Sequence, residues 1–419
     1  MKRVTGARTP LHVAVVCHVF PKLSETFVLD HVTGLLDRGH DVTIVAQRNT
    51  EEALAHPAVE AYGLLDRLVE RPVPPRSRGA RGRALARRFT RARPDRLPTM
   101  VRAAARGRGR SGPLHALAEV EVLRQTADAD VVHAHFGPVG SVVATAMLAA
   151  RDRRPLVATF HGADVGRARQ HSSHHRFAEL FRRGDRLLTV SDLWRRELLD
   201  FGAPEERVDV LRQGVDTRSL SFAERQTTSP IRLLSVGRLV EKKGFDTALR
   251  AVAALTADGI EVTHRIVGDG PQRDDLERLA DELELGARVE FLGSLGRERV
   301  RDLLYDSDVL VAPSHTTRDG DREGIPVVLM EAMATGLPVV STRHSGIPEL
   351  VEHGVTGLLA DESDADGVAD HVRTLVEATP RTTELVRRAR AHVECQHDAD
   401  LQLDRLEDTY RRLLVTERT

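Results

Sequence analysis

Glu323 and Glu331 bracket the stretch EGIPVVLME, which continues as AMATG to residue 336. Gly324, Ile325 and Pro326 suit a loop turning into a helix, with Pro326 near the first helical position, where its missing N–H costs nothing. Val327, Val328, Met330 and Met333 recur at roughly helical spacing. Gly336 ends the helix, and LPVVS (337–341) reads as a short buried strand. Glu323 therefore precedes a helix N-terminus, and Glu331 lies about a turn and a half inside it. At ~1.5 Å of rise per residue the two carboxylates stand roughly 10 Å apart. That is too far to share a proton and suits a grip on two parts of one extended ligand. The helix N-terminus between them attracts anions through its free N–H groups and dipole. Two hydroxyl-binding carboxylates beside an anion site describe a receptor for a sugar nucleotide. The plainer alternative is two surface glutamates on an ordinary βαβ helix.

A second constellation is cationic. Gly237, Arg238 and Lys243 fall between a strand (231–236) and a helix that begins near Phe245. A guanidinium, an ammonium and a helix N-terminus in one loop suit a diphosphate. The chain has only four lysines, and two of them stand together at Lys242-Lys243, a hint that an ammonium is wanted there. In the first half, His135 and the run His161-Gly162-Ala163-Asp164 follow apolar strands, where open α/β sheets bind ligands. His171, His174 and His175 lack Cys or acidic partners at metal-ligand spacing and read as a solvated loop. Asp128/Asp130 and Asp306/Asp308 stand just before strands, as turn residues do. Asp319/Asp321 is the one Asp-x-Asp pair near Glu323.

The elements that must position these groups are βα units. An apolar strand (11–20), a helix with Phe27, Val28, Val32, Leu35 and Leu36 on one face, and a strand (41–46) predict a parallel sheet. The first strand-to-helix loop lacks G-x-G-x-x-G, which counts against a nicotinamide dehydrogenase. A second βα series starts at residue 231. The expected organisation is an N-terminal domain over 1–218, a polar linker over 219–230, a C-terminal domain over 231–396, and a closing helix over 397–419. Residues 72–113 differ: thirteen arginines lie between Arg76 and Arg110, with Asp95 the one acid. They read as a solvated, partly mobile insertion, or as a basic amphipathic patch for anionic lipid. A net charge of −1 and 4% aromatic residues argue against nucleic-acid binding. No apolar run approaches the ~18 residues of a membrane span. The short apolar run near the N-terminus reads as a first strand, and Cys17 and Cys395 form no disulfide framework. A cytoplasmic protein, peripheral on the inner face of the membrane if the basic patch binds lipid, is expected.

Together these features resemble the retaining family 4 glycosyltransferases of GT-B architecture. The marks are SVGRLVEKKG (235–244), VGDGP (267–271) and EGIPVVLMEAMATGLPVVSTRHSGIPELVEHGVTGLL (323–359), which contains the family's Glu-x7-Glu. FPKLSETFV (20–28), HAHFG (133–137) and TFHGADV (159–165) are similar to exopolysaccharide transferases of the colanic-acid type. The resemblance implies two Rossmann-like domains facing across a cleft, with the last helix crossing back to the first. It implies that Arg238 and Lys243 hold the donor diphosphate, Glu331 the ribose hydroxyls and Glu323 the transferred sugar, with His161 beside the reacting centre. Gly268, Gly270, Pro271, Phe291 and Leu292 would shape the base pocket, and Ser345-Gly346-Ile347 would line the sugar–phosphate cleft. Ser24 and Glu25 occupy the loop facing the acceptor, with His135 and Asp164 on the same side. This loop departs from the glycine-rich form of many relatives. The implied reaction moves a hexose with retention, from a UDP-sugar or a GDP-sugar, to a saccharide or lipid-linked oligosaccharide, with no metal and no cofactor. The rivals are an epimerase or glycogen-synthase-like enzyme of the same architecture, and a non-catalytic sugar-nucleotide-binding scaffold at the membrane.

Overall fold

The computed structural model describes residues 9–22, 25–49, 57–71, 77–90, 93–107, 113–225 and 229–416. The chain falls into two compact units: Met1–Thr189 with Arg195–Leu211 and Leu403–Thr419, and Val190–Trp194 with Arg212–Gln402.

The first unit holds β1 (His12–Phe20), β2 (Asp41–Arg48), β3 (Leu68–Glu70), β4 (Val131–His135), β5 (Leu156–Phe160), β6 (Arg186–Thr189) and β7 (Val208–Val210). Their order is β3-β2-β1-β4-β5-β6-β7, all pairs parallel. Continuous apolar runs such as VAVVC and LVATF are what a parallel sheet covered on both faces requires. α1 (Thr26–Asp37) buries Val28, Leu29, Val32 and Leu35 against β1 and β2 residues. Leu406 and Tyr410 of the chain's closing stretch join the same core, as expected of the last helix.

The arginine-rich insertion is largely helical rather than loose. α2 (Arg78–Thr90) carries no fully buried residue among those described. α3 (Leu97–Gly107) packs against α4 (Pro113–Gln125) and α5 (Gly137–Ala150). Ala103 is fully buried there, and the Arg102 guanidinium donates to the Ala149 carbonyl at 2.8 Å. Small residues between the arginines let α3 lie close, a signal that the charge run obscured.

The second unit holds β8 (Ile231–Val236), β9 (Val262–Val267), β10 (Val289–Gly293), β11 (Val309–Ala312), β12 (Val339–Thr342) and β13 (Leu358–Ala360), in the order β10-β9-β8-β11-β12-β13. Leu233, Leu249, Val252 and Ile266 fill one face, the middle pair from α6 (Phe245–Ala257). Leu234, Leu310, Leu329, Met330 and Met333 fill the other, the last three from α7 (Val327–Thr335). Each such side chain contributes about 1.5–3 kcal/mol when fully buried. The stretch read as a linker is pinned to this unit. The Arg225 guanidinium reaches the Thr335 and Leu304 carbonyls at 3.0 and 2.9 Å. Arg390 donates to the carbonyls of Thr217 and Leu220 at 2.8 and 2.6 Å.

In both sheets the chain winds first to one side and then to the other. It reverses between β1 and β4, and again between β8 and β11. The loops leaving the carboxyl ends of those strands flank a crevice where doubly wound sheets take ligands.

Candidate functional site

In the second unit the cations leave β8 and the carboxylates follow β11, on the two sides of its reversal point. Backbone contacts set their approach. Gly237 N–H donates to the Val267 carbonyl at 2.9 Å, and Gly268 N–H to that of Gly293 at 2.8 Å, stitching the loops after β8, β9 and β10 together. Gly268 has φ +137°, and a Cβ there would stand 1.9 Å from the Gly237 oxygen. Gly244, at φ +68°, lies so close to the next loop that a Cβ would stand 2.0 Å from the Pro313 oxygen. The turn Glu241–Lys243 is thereby held against the 313–326 loop.

The result is an ion pair, with Lys243 Nζ 2.7 Å from Glu323 Oε2. Burial pushes the Glu323 carboxyl up, but Lys243 and then Lys242 more than reverse this and hold it below its ordinary range. Lys242 pairs with Asp321 at 3.1 Å, and the Thr317 hydroxyl donates to Asp319, so both acids of the nearby Asp-x-Asp pair are engaged within the protein. Arg238 is exposed and has no ion pair among the described residues. Behind Glu323 lies a support the sequence reading missed. Its backbone N–H donates to His344 Nε2 at 3.0 Å, and the Ser345 hydroxyl donates to its carbonyl at 2.7 Å. His344 Nδ1 lies 2.6 Å from Glu362 Oε1, whose other oxygen accepts the Thr316 N–H at 2.8 Å. Burial lowers the His344 pKa although Glu362 pulls the other way, so a neutral ring donates to Glu362 and accepts from Glu323.

Pro326 caps α7 in extended conformation, one residue ahead of its first helical residue, and Gly336 closes it at φ +77°. Glu331 is half-buried in the helix with Arg297 Nε 3.9 Å away, an arginine that no motif flagged. Gly324 is half-buried and Ile325 buried in the preceding loop. Gly270 and Pro271 turn the chain after β9. Phe291 and Leu292 are half-buried, and the Arg273 guanidinium stands 5.9 Å from the Phe291 ring centre.

In the first unit Ser24 lies outside the described residues. Glu25 precedes α1, is half-buried and pairs with Lys22. Phe136, after β4, adopts φ 74° and ψ 135°, a conformation that costs a non-glycine residue about 1–3 kcal/mol. Asp164 is buried, and its carboxylate accepts the N–H groups of Gly137 at 2.7 Å and of His161 and Val165 at 3.1 Å. It ties the loops after β4 and β5 together. Burial raises its pKa against those hydrogen bonds. His161 stacks on Phe27 with ring centres 4.1 Å apart, and its Nε2 meets His135 Nδ1 at 3.0 Å. The acceptor contact expected of His135 finds no free ring nitrogen in this state, because Nε2 meets His31 Nδ1 at 2.9 Å. Burial pushes the His161 pKa down to about 3.

Two parallel-sheet Rossmann-like domains, the second with cations and carboxylates at its reversal point, define the GT-B glycosyltransferase class. Residues 216–392 match the family described as glycosyl transferases group 1, and residues 89–219 match glycosyltransferase family 4. The putative colanic acid biosynthesis glycosyltransferase WcaL of Salmonella typhimurium is 39% identical over 385 residues, 89% of this chain and 93% of that protein. The amylovoran biosynthesis glycosyltransferase AmsK of Erwinia amylovora is 34% identical over 399 residues, 94% and 98% of the two chains. Anabaena HepE, solved with UDP and glucose, superimposes with a TM-score of 0.73 at 20% identity, covering 96% of this chain and 100% of that one, a likeness of fold. The chain belongs to the family 4 glycosyltransferases and is a glycosyltransferase.

Proposed function

We propose that the enzyme moves a hexose, with retention of configuration, from a nucleoside-diphosphate sugar to a saccharide or lipid-linked oligosaccharide during exopolysaccharide synthesis. UDP-sugar is the favoured donor, with GDP-sugar the second. The observation that carries this reading is the Lys243–Glu323 pair at the reversal point of the second sheet, with Lys243 in the same strand-to-helix loop as Arg238, which makes no ion pair among the described residues. A donor entering there meets Lys243 and Arg238 with its diphosphate, Glu323 with its sugar and Glu331 with its ribose. Lys243 and Arg238 stabilise the charge that develops on the leaving phosphate, a preorganised electrostatic role. Protein cations take the part that a divalent ion plays elsewhere, so the reading has no metal requirement. The leaving phosphate helps take the acceptor's proton while the new bond forms on the same face of the sugar. The two sequence relatives are named for colanic acid and amylovoran synthesis, which supports an exopolysaccharide product.

The acceptor end of the reading rests on the insertion. α2, α3 and α4 enclose a groove of about 910 Å³, with Arg83, Arg87, Arg88 and Arg93 around Met100 and Leu117. Guanidinium groups over an apolar floor suit an anionic lipid surface. No helix among the described residues is long and apolar enough to cross a membrane.

A thermal-shift screen of UDP-, GDP-, ADP- and dTDP-sugars tests the donor. A ligand at 100 times its Kd adds about 2.7 kcal/mol of stability. One nucleotide sugar should raise the melting temperature, and Glu331→Ala should weaken that rise. A well-folded protein that no nucleotide sugar stabilises would sink the donor assignment.

A further inference from the structure

Six side chains of the first unit form one unbroken hydrogen-bonded chain that ends at His161, the ring expected beside the reacting centre. Thr159 Oγ1 meets His133 Nε2 at 2.8 Å, and His133 Nδ1 meets the Tyr410 hydroxyl at 2.5 Å. The Tyr410 hydroxyl meets His31 Nε2 at 3.1 Å, and His31 Nδ1 meets His135 Nε2 at 2.9 Å. His135 Nδ1 then meets His161 Nε2 at 3.0 Å. His161 Nδ1 ends the chain, buried and without a hydrogen-bond partner among the described residues. His31, His133, His135 and Tyr410 are all buried. Burial keeps every imidazole neutral: His31 falls to about 4, and His133 and His135 fall well below the ordinary value.

A neutral imidazole has one donor and one acceptor nitrogen, and a hydroxyl has one hydrogen. Each link needs one hydrogen. A Tyr410 oxygen that accepted from both rings would leave its own buried hydrogen without an acceptor among the described residues, so two arrangements satisfy the whole chain. In one, every hydrogen points from Thr159 toward His161, which is left with a buried, unpartnered Nδ1–H. In the other, every hydrogen points back, His161 carries its hydrogen on Nε2, and the surplus hydrogen sits on the Thr159 hydroxyl. A hydroxyl hydrogen can swing to an acceptor, whereas an imidazole N–H is fixed in the ring plane, and an unmatched buried donor costs about 1–3 kcal/mol. The second arrangement is therefore the resting one.

We propose that Tyr410, His31, His133 and His135 are positioning residues for His161: they form a proton-ordered chain that holds hydrogen on Nε2, so that Nδ1 presents a lone pair to a saccharide hydroxyl. The part played by the saccharide rests on the glycosyltransferase reading; the proton order does not. A ligand that instead offers Nδ1 an acceptor favours the opposite order: the five link hydrogens cross their links, solvent takes the surplus proton from Thr159 and supplies one to His161 Nδ1, and the net charge is unchanged. Three of these rings, His31, His133 and His135, also bring ring nitrogens within 4.8 Å of one another, the arrangement a metal ion would use. The hydrogen-bond chain already engages both nitrogens of each.

The test is ring nitrogen NMR on protein labelled with ¹⁵N-histidine, with the His161 signals identified by their loss in His161→Gln. Wild type at pH 7.5 should show His161 neutral, with hydrogen on Nε2. Thr159→Val leaves the deeply buried His133 Nε2–H facing a methyl group, so the order should reverse and His161 should carry hydrogen on Nδ1. Thr159→Ser keeps the hydroxyl and should match wild type. In a Tyr410→Phe background the chain is cut, and adding Thr159→Val should leave the His161 signals where they were. A His161 signal that ignores Thr159→Val in the intact chain, a charged His161 ring, or zinc retained in stoichiometric amount by these histidines after dialysis would overturn the proposal. None of these readouts depends on turnover, so a failure here is separable from a failure of the donor assignment.

Discussion

Lys243→Ala separates a task that the structure shows from one that is proposed. In the ligand-free protein this ammonium neutralises Glu323; in the proposed reaction it stabilises the leaving diphosphate. Both side chains of the pair are about one-fifth exposed, 19% and 18%. Stranding one member of a fully buried pair costs about 3–5 kcal/mol. The pair is partly exposed and Lys242 also acts on Glu323, so we expect less than that, about 2 kcal/mol. For a unit of this size that lowers the melting temperature by roughly 4–8 °C. The pH dependence follows from Glu323. Its folded pKa lies below the ordinary value, so the pairing contributes fully above the unfolded value of about 4.3 and is lost as pH falls through the folded value. In Lys243→Ala burial is opposed only by the weaker cations, and the carboxyl pKa rises. The stability gap between wild type and variant should therefore be widest near pH 7 and close below about pH 4. Adding Glu323→Gln removes the stranded charge and should restore much of the lost stability at pH 7. It should restore no activity, because losing one transition-state donor costs about 10²–10³ in rate. Urea unfolding at several pH values reads the first effect, and sugar transfer or donor hydrolysis reads the second. A double variant no more stable than Lys243→Ala, or a gap that does not change with pH, would refute the reasoning.

Four further outcomes follow. Gly244→Ala would put a Cβ 2.0 Å from the Pro313 oxygen at a left-handed φ, so it should destabilise the second unit by more than about 2 kcal/mol and weaken any nucleotide-sugar thermal shift. His31, His133, His135 and His161 are neutral when folded, because burial lowers their pKa values, to about 4 for His31 and about 3 for His161. Their groups face one another and Tyr410, and their folded pKa values lie below the unfolded 6.5, so they support folding above that value. Stability should fall by about 1.4 kcal/mol per pH unit below ~6.5 for each ring that stays neutral, and a flat urea midpoint between pH 7 and 5 would count against the cluster. Glu362→Gln removes the charge that orients His344, and should weaken donor binding several-fold while leaving the fold intact by circular dichroism. Arg83→Glu with Arg87→Glu should abolish sedimentation with liposomes containing anionic lipid if α2 meets the membrane, and unchanged sedimentation would remove the membrane from the reading.

The fold was legible because its signals are local. Apolar runs such as VAVVC admit only a buried strand, and Val328, Met330 and Met333 mark the inner face of α7 within a few residues. The local shape around the cations was legible for the same reason: Arg238, Lys243 and Glu323 sit beside glycines and a proline whose backbone demands can be read one residue at a time. What escaped depends on pairing across long separations. His344 supports Glu323 from the end of another strand, and Arg297 reaches Glu331 from a helix that no motif marks. The insertion misled in the other direction, because its arginines set its composition while Ala103 and its small neighbours set its packing.

The histidine chain shows the limit most sharply. His135 was read as standing at a ligand-facing strand end and His133 only as part of that strand, but β4 lies in the middle of its sheet, and in a doubly covered sheet both faces are interior. A histidine there must be neutral and fully hydrogen-bonded. The partner that satisfies it, Tyr410, stands 277 residues away in the chain. In sequence Tyr410 is only the aromatic position of an apolar helical stripe. Its hydroxyl is the one atom that can donate to one ring and accept from another, so the same residue that fills the core also sets the proton order ending at His161. Phe at that position would keep the stripe and the packing and lose the order. That is why a pattern of apolar spacing locates the closing helix correctly and yet says nothing about what it does for the site.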